Sequence, residues 1–433
     1  MKRFSSFLTV LIILAGTSLK SQVPEAGSSA LNYTGLENKL KRSNADIEDS
    51  KKNIKVKTWL SRASLMTDIY NVNNDVLRKG MDPVSVKLFY KEPKEIQTTE
   101  EGSDKIENYV YDRVTLKFRN GVLDSWTETK KIHPDPLTEA IKAVNEAVKL
   151  NTDGKADKDI VSTVNNLKAA LEFEAVGQYE KKDFKASHAH FNEILNLNKL
   201  PQMNGQIDTI YLYYGGRAAF EAGDFKEANR LFEEAATYKF EDPFLYVFRK
   251  QSYFSTGDTA KGVAILDEGF KKYPENQSIM IELINYYMTT NKAGEALKML
   301  SLAKAGDPKN VSYVFAESSL YDKMGKFDDA ERSYKTCIEM DPNFFDANFN
   351  LAVLYFNKAV KIFEDASKVS DNAAYEKAKV EGDSMLLKAV PYMEKSHEID
   401  PKDRASLETL KTIFYRLKMD DKYQQVVKEL NAL

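Results

Sequence analysis

Cysteine is all but missing from the 433 residues: Cys337 stands alone, so no internal disulfide can form and stability has to come from packing. Twelve prolines and 19 glycines are too few for an all-β fold with many tight turns. Histidine occurs only as His133, His188, His190 and His397. His188 and His190 sit two apart on an expected helix, about 200° around its axis, and so cannot chelate one metal together. A calcium reading of "LNTDGKADKD" (Leu150 to Asp159) fails for want of an acid at the fifth position and a glycine at the sixth. No Gly-rich phosphate loop, nucleophile elbow or His–Cys pair occurs. Gly215 and Gly216 of "YYGGRAAF" fall inside a helical pattern, where close packing explains them. A basic excess is missing too. The net charge of −3 leaves no footprint for nucleic acid. These absences predict no catalytic residues, no metal and no cofactor.

What is present describes a soluble, foldable chain, with 42% hydrophobic and 29% charged residues. Its N-terminus opens with Lys2 and Arg3, runs apolar from Phe7 to Gly16, and continues with small or polar residues. That run is shorter than the roughly 20 residues a bilayer span takes, and its order is that of a cleavable secretory signal. The expected leader is 1–21, with Gln22 first after cleavage. No cysteine near the cut offers a lipid attachment point, so an exported, periplasmic protein without a transmembrane span is expected.

Shifting the C-terminal half along itself by 34 residues exposes its organisation. Tyr253, Tyr287, Tyr321 and Tyr355 fall in one column, and Gly223, Gly257, Asn291 and Gly325 in another. Ala228, Gly262, Ala296 and Ala330 form a column of small residues, and Pro274, Pro308 and Pro342 close successive units. The period predicts a helix pair per unit: a turn at the Gly/Asn column, then a second helix with apolar or small residues at three- and four-residue spacing. One short pair cannot bury its apolar face alone, so the pairs must stack. Cys337 shares a column with Ala235, Gly269 and Ala303, which makes it a packing residue. Asp328, Asp329 and Glu331 sit at the start of a second helix, where acids complement the helix dipole.

The period and the stretches "YLYYGGRAAFEAGDFKEANRLFEEA" (Tyr211 to Ala235) and "ANFNLAVLYFNKA" (Ala347 to Ala359) resemble the tetratricopeptide repeat family over roughly residues 137 to 433. The chain departs from that pattern at Lys250 and Ile284, where a small residue is wanted, and at Asn348, where an aromatic is. Leu171 to Leu195 reads as a degenerate pair, Leu137 to Leu150 as a lone second helix, and Ala405 to Leu430 as a polar closing pair. The resemblance implies a mostly α fold, a right-handed superhelix of helix pairs, over 131–433. Around 346–400 an insertion displaces the small position to Ala389, which predicts two helices lengthened by about 12 residues each into an elongated finger. Pro391 lies within its returning helix.

The N-terminal third has a different period. A helical hairpin is expected within 22–78. A small α+β module is expected over 79–130: a short helix near "DPVSVKLFY", then alternating runs hinged on "RNG". This order resembles the small α+β domain of outer-membrane assembly lipoproteins; the alternative is an α+β insert packed on the first helices. An enzyme housed in 72–130 is disfavoured, since that stretch has no His or Cys.

In the family, first helices line the concave face. The columns that this implies here give a partner-binding groove of Tyr213, Arg217, Phe220, Gln251, Phe254, Ile281, Asn285, Met288, Phe315, Phe349 and Phe356. An aromatic groove edged with amide and hydroxyl groups suits an extended peptide or a helix. The family's carboxylate clamp is incomplete: Asn285 and Asn350 stand at its columns without the basic residues. The expectation is a non-enzymatic scaffold docking protein or peptide partners in the cell envelope, similar to secreted tetratricopeptide proteins of Bacteroidetes-like bacteria. The rival is a small ligand or oligosaccharide in the same groove.

Overall fold

The computed structural model describes residues 31–368 and 370–433; the expected leader lies outside them. The chain forms two compact units, one ending at Ala222 and one spanning Gly223–Leu433.

In the first unit, α1 (Tyr33–Glu48) and α2 (Val56–Asn74) pack against each other. The short α3 (Pro83–Val86) leads into a sheet of β1 (Glu95–Glu101), β2 (Asp104–Val110), β3 (Val114–Arg119) and β4 (Val122–Glu128). The chain then continues with α4 (Pro136–Leu150), α5 (Asp157–Glu180), α6 (Phe184–Leu197) and α7 (Thr209–Glu221). The sheet is an antiparallel meander in sequence order, so the expected helix plus hairpin gains strands. "RNG" turns as read: Asn120 and Gly121 take φ of 50° and 82°, the left-handed pair of a type I′ turn. Strand β1 carried no alternation signal because all seven of its residues are exposed. The buried face of the module comes from Leu77, Val86, Val114, Leu116, Phe118 and Leu123.

The lone helix of Leu137 to Leu150 has a partner after all. α4 packs on α2, and its Ala140, Ala143 and Ala147 are fully buried, letting Met66 and Ile69 of α2 close on it. The α+β module is therefore inserted between the two helices of one pair. A buried amide ties the insert down. Asn73 accepts hydrogen bonds from the hydroxyls of Tyr90 (2.7 Å) and Tyr33 and donates to Glu128. Beside it, Trp126 Nε1 donates to Asn74 Oδ1 at 2.9 Å. Burial holds the Glu128 carboxyl above the usual range, against the pull of Asn73.

The second unit stacks α8 (Phe225–Thr237), α9 (Pro243–Ser255), α10 (Thr259–Lys272), α11 (Gln277–Thr289), α12 (Ala293–Gly306), α13 (Val311–Lys323) and α14 (Phe327–Met340). It ends with α15 (Phe345–Ala366), α16 (Asn372–Ile399), α17 (Arg404–Arg416) and α18 (Asp420–Ala432). Each helix packs on the next in sequence order, which is the solenoid arrangement. One turn recurs between the helices of a pair. Asp258 N donates to Tyr253 O, Lys292 N to Tyr287 O and Lys326 N to Tyr321 O, each at 2.9 Å. This six-to-one closure needs a left-handed residue just past the helix. Gly257, Asn291 and Gly325 supply it, with φ of 87°, 58° and 69°. Asp224 and Asp258 then cap the second helix, accepting from the backbone of Glu227 and Lys261. In these three repeats the column tyrosine supplies the carbonyl that closes the first helix, whereas Tyr355 lies within the longer α15. The column's hydroxyls also bridge pairs: Tyr253 donates to Glu233 at 2.9 Å and Tyr355 to Glu331 at 2.7 Å.

The small columns are buried contacts between paired helices. A Cβ on Gly262 would stand 2.6 Å from the Phe254 ring, and one on Gly269 would stand 2.7 Å from Tyr246. Ala296, Ala303, Ala330 and Cys337 fill the same positions, each fully buried. The departures are each accommodated. Lys250 pairs with Glu282 at 2.7 Å, Ile284 is buried, and buried Asn348 donates to the carbonyls of Pro342 and Phe344. α15 runs 22 residues and α16 runs 28, where other second-unit helices have 13 or 14. Phe363 lies on Gly382, and the Arg416 guanidinium sits 4.2 Å above its ring.

At the equivalent turn of α5, the left-handed residue is Lys182, with φ of 63°. A side chain pays about 1 kcal/mol or more for that conformation. Gly257→Ala should lower stability by about 1 kcal/mol, although nothing lies within 4 Å of the added methyl. Lys182→Gly should raise it by about 0.5–1 kcal/mol. Calorimetric melting temperatures check both; opposite signs would refute the turn assignment.

Candidate docking surface

The expected groove residues do not behave alike. In the first unit Tyr213 and Arg217 are buried, and Arg217 Nη2 donates to the Tyr179 hydroxyl at 3.3 Å with its guanidinium 5.6 Å above that ring. Phe220 is half-buried. In the second unit Phe315 is buried, edge-on to Phe344 at 5.1 Å. Tyr213, Arg217 and Phe315 are thus interior residues rather than groove lining. A column fixes the angle around a helix, and how deeply the neighbours cover that angle varies from pair to pair.

The remaining positions reach solvent. Ile281 is 39% exposed, Asn285 is exposed, and Gln251, Phe254, Met288, Phe349 and Phe356 are half-buried. Several are already engaged. The Lys250 ammonium lies 4.3 Å above the Phe254 ring, Tyr286 meets that ring edge-on at 6.2 Å, and Gln251 donates to Glu282 at 3.1 Å. Phe349 stacks on Phe345 at 5.7 Å. Glu282 and Tyr286 were not expected here, because each lies one residue off the columns read from the repeat.

Asp322 stands out electrostatically. It occupies the position held by Phe254, Met288 and Phe356 in neighbouring repeats and is half-buried. Burial raises its pKa, and no cation of the described residues pairs with it. Nearby, burial pushes the Tyr334 hydroxyl up to about 12, against the pull of Ser319 and Asn350. Asp322 thus interrupts an otherwise apolar first-helix row, while Tyr334 belongs to the buried core on α14.

The other candidate chemistry is occupied. Cys337 is fully buried, 3.8 Å from Ser318 Oγ, and burial raises its thiol to about 11. His188 Nδ1 lies 3.1 Å from the Gly215 carbonyl. In the loop once compared with a calcium site, Asn151 donates to Asp157 at 2.7 Å and accepts from the Ala156 amide at 3.1 Å. Among the described residues, no helix is long and apolar enough to cross a membrane.

Two family models match the chain, both described as tetratricopeptide repeat, over residues 311–344 and 333–365. Among solved structures, one titled as a TPR repeats protein from Bacteroides fragilis is 20% identical, with a TM-score of 0.27, and covers 57% of this chain and 97% of its own. MamA from Desulfovibrio magneticus RS-1 is 16% identical, with a TM-score of 0.35, and covers 46% and 98%. MamA MSR-1 is 21% identical, with a TM-score of 0.33, and covers 46% and 99%. No curated protein matches.

At pH 8 a thiol with a pKa of about 11 is ionised in about one molecule in a thousand. Alkylation of Cys337 should therefore be at least about 100-fold slower in the folded chain than in urea; equal rates would contradict its burial. For Asp322 the sign is also fixed. A carboxyl whose folded pKa is raised loses stability when ionised, so Asp322→Asn should raise the melting temperature at pH 7. The gain should vanish below about pH 3, where the residue is protonated in folded and unfolded states alike. A destabilised Asp322→Asn at pH 7 would show that a cation of the chain itself compensates the charge.

Proposed function

We propose that this chain of tetratricopeptide repeats is a non-enzymatic scaffold that docks protein partners in the cell envelope. The observation that carries the docking reading is Asp322: an uncompensated, half-buried carboxylate in a row whose other members are Phe254, Met288 and Phe356. Such a group costs the free protein stability and is compensated when a partner brings a cation. The partner segment that fits therefore carries a Lys or Arg between apolar side chains, which pack on Met288 and Phe356. Exposed Ile281 and Asn285 extend the contact along the neighbouring first helix. The envelope setting rests on the order of basic, apolar and small residues at 1–21.

Peptide and glycan arrays probed with the purified chain separate this reading from an oligosaccharide-binding one. Peptides bearing apolar–basic–apolar patterns should bind, and Asp322→Lys should weaken them at least about tenfold, the scale of one charge-assisted contact. Glycan binding that survives Asp322→Lys, with no peptide retained, would overturn the docking reading.

A further inference from the structure

The α+β insert carries a second surface that the repeat reading does not use. Its sheet has two edges, and they are treated differently. The β4 edge is covered where Gly80 N donates to Leu123 O and Leu123 N donates to Met81 O, both at 2.8 Å. Along β1 all seven residues are exposed. The strand has no proline, and its pairing with β2 runs without a bulge from Glu95↔Val110 to Glu101↔Asp104. Of the usual protections of a free edge, β1 has no proline, bulge or short length, only the charge of Glu95, Glu100 and Glu101, which screens it against a like-charged strand but not against a basic one.

The ladder identifies which groups are free. Tyr111 N donates to Val114 O and Asn120 N to Lys105 O, so the odd-numbered residues of β2 bond to β3. Antiparallel alternation then turns Asp104, Ile106, Asn108 and Val110 toward β1, onto Glu101, Thr99, Gln97 and Glu95. The backbone N–H and C=O of Ile96, Thr98 and Glu100 point outward, and no described residue takes them up. Side chains agree with this. Trp126, Leu116, Tyr109 and Ile96 are cross-strand neighbours in one row across the sheet. That row starts against the core and ends on Ile96, which is 48% exposed.

We propose that the outer edge of β1 receives an extended segment of a partner protein as a fifth strand. The charge pattern specifies it. β1 carries Glu95, Glu100 and Glu101 and no cation; Lys117 and Arg119 take up Glu101 at 2.9 and 2.8 Å, and Lys105, across from Glu100, pairs with Glu107 at 2.9 Å, so among the described residues Glu95 and Glu100 have no ion pair. The incoming strand therefore sets an apolar side chain beside Ile96 and a Lys or Arg beside Glu100, four residues apart, continuing the apolar row and neutralising the edge. A second copy of β1 does not fit. Antiparallel pairing centred on Thr98 sets Glu95 against Glu101 and Ile96 against Glu100, and like charges facing each other across a ladder destabilise it.

The test uses the full-length chain and two synthetic peptides: a threonine-rich strand with Lys and Val four residues apart, and the same strand with Glu replacing Lys. Hydrogen exchange of the Ile96, Thr98 and Glu100 amides should be fast in the free protein and slow with the Lys peptide. The Glu peptide should bind at least tenfold more weakly. Thr98→Pro removes an outward N–H without touching the ladder, so it should weaken the Lys peptide at least tenfold at unchanged melting temperature. Glu100→Lys should reverse the peptide preference, which keeps the test decisive if the proline variant folds poorly. Equal binding of the two peptides, or no slowing with the Lys peptide, overturns the proposal. So does exchange of the Ile96, Thr98 and Glu100 amides that is already slow in the free chain, which would mean the edge is already occupied.

Discussion

How closely the second helix of each pair can approach the first governs the second unit. That distance is set by positions where nothing larger than a methyl or thiol fits: Gly262 under Phe254, Gly269 under Tyr246, and Ala296, Ala303, Ala330 and Cys337 in the same columns. Close approach lets the large side chain of one helix rest on the backbone of the next, which gives dense packing without disulfides. It also fixes what the turn must do. The chain has to reverse within a few residues, and the left-handed Gly or Asn with its repeated 2.9 Å closure accomplishes this. Where the pair lengthens into the finger the same device returns, with Gly382 under Phe363.

A framework built this way uses its chemistry-bearing residues as structure. The single thiol is raised and buried, the histidine at 188 faces a carbonyl, and buried Arg62 and Arg249 pair with Glu139 and Glu233. What the framework leaves accessible is surface: a row of first-helix side chains interrupted by Asp322, and the open edge of β1. Both are suited to recognising polypeptide, one through side chains and a carboxylate, the other through backbone hydrogen bonds.

The legible parts of the fold were those fixed within one repeat. The Tyr, Gly and Ala columns, the "RNG" turn and the lengthened finger are local, so periodicity and turn chemistry report them. Pairing across an insertion is not local. α2 and α4 are partners separated by the whole α+β module, and no shift of the sequence along itself brings them together. β1 escaped because an edge strand exposed on both faces has no alternation to read. The docking surface was legible only in part. Columns located Ile281, Asn285 and Met288 on an accessible face, yet Tyr213, Arg217 and Phe315 are buried because neighbouring rings cover them. Asp322 held its place in a column from the start, but its significance lies in the missing cation, which only three-dimensional surroundings reveal.

The central claim is that the first-helix face of the repeats meets polypeptide. Photo-crosslinking in living cells tests it most directly, with a photoreactive residue placed singly at Ile281 and Asn285 on first helix α11, or at Leu302 and Met340, exposed on second helices α12 and α14. The account predicts discrete protein adducts from the first two positions and none from the last two. Adducts from Leu302 or Met340 alone, or from all four positions alike, would contradict it.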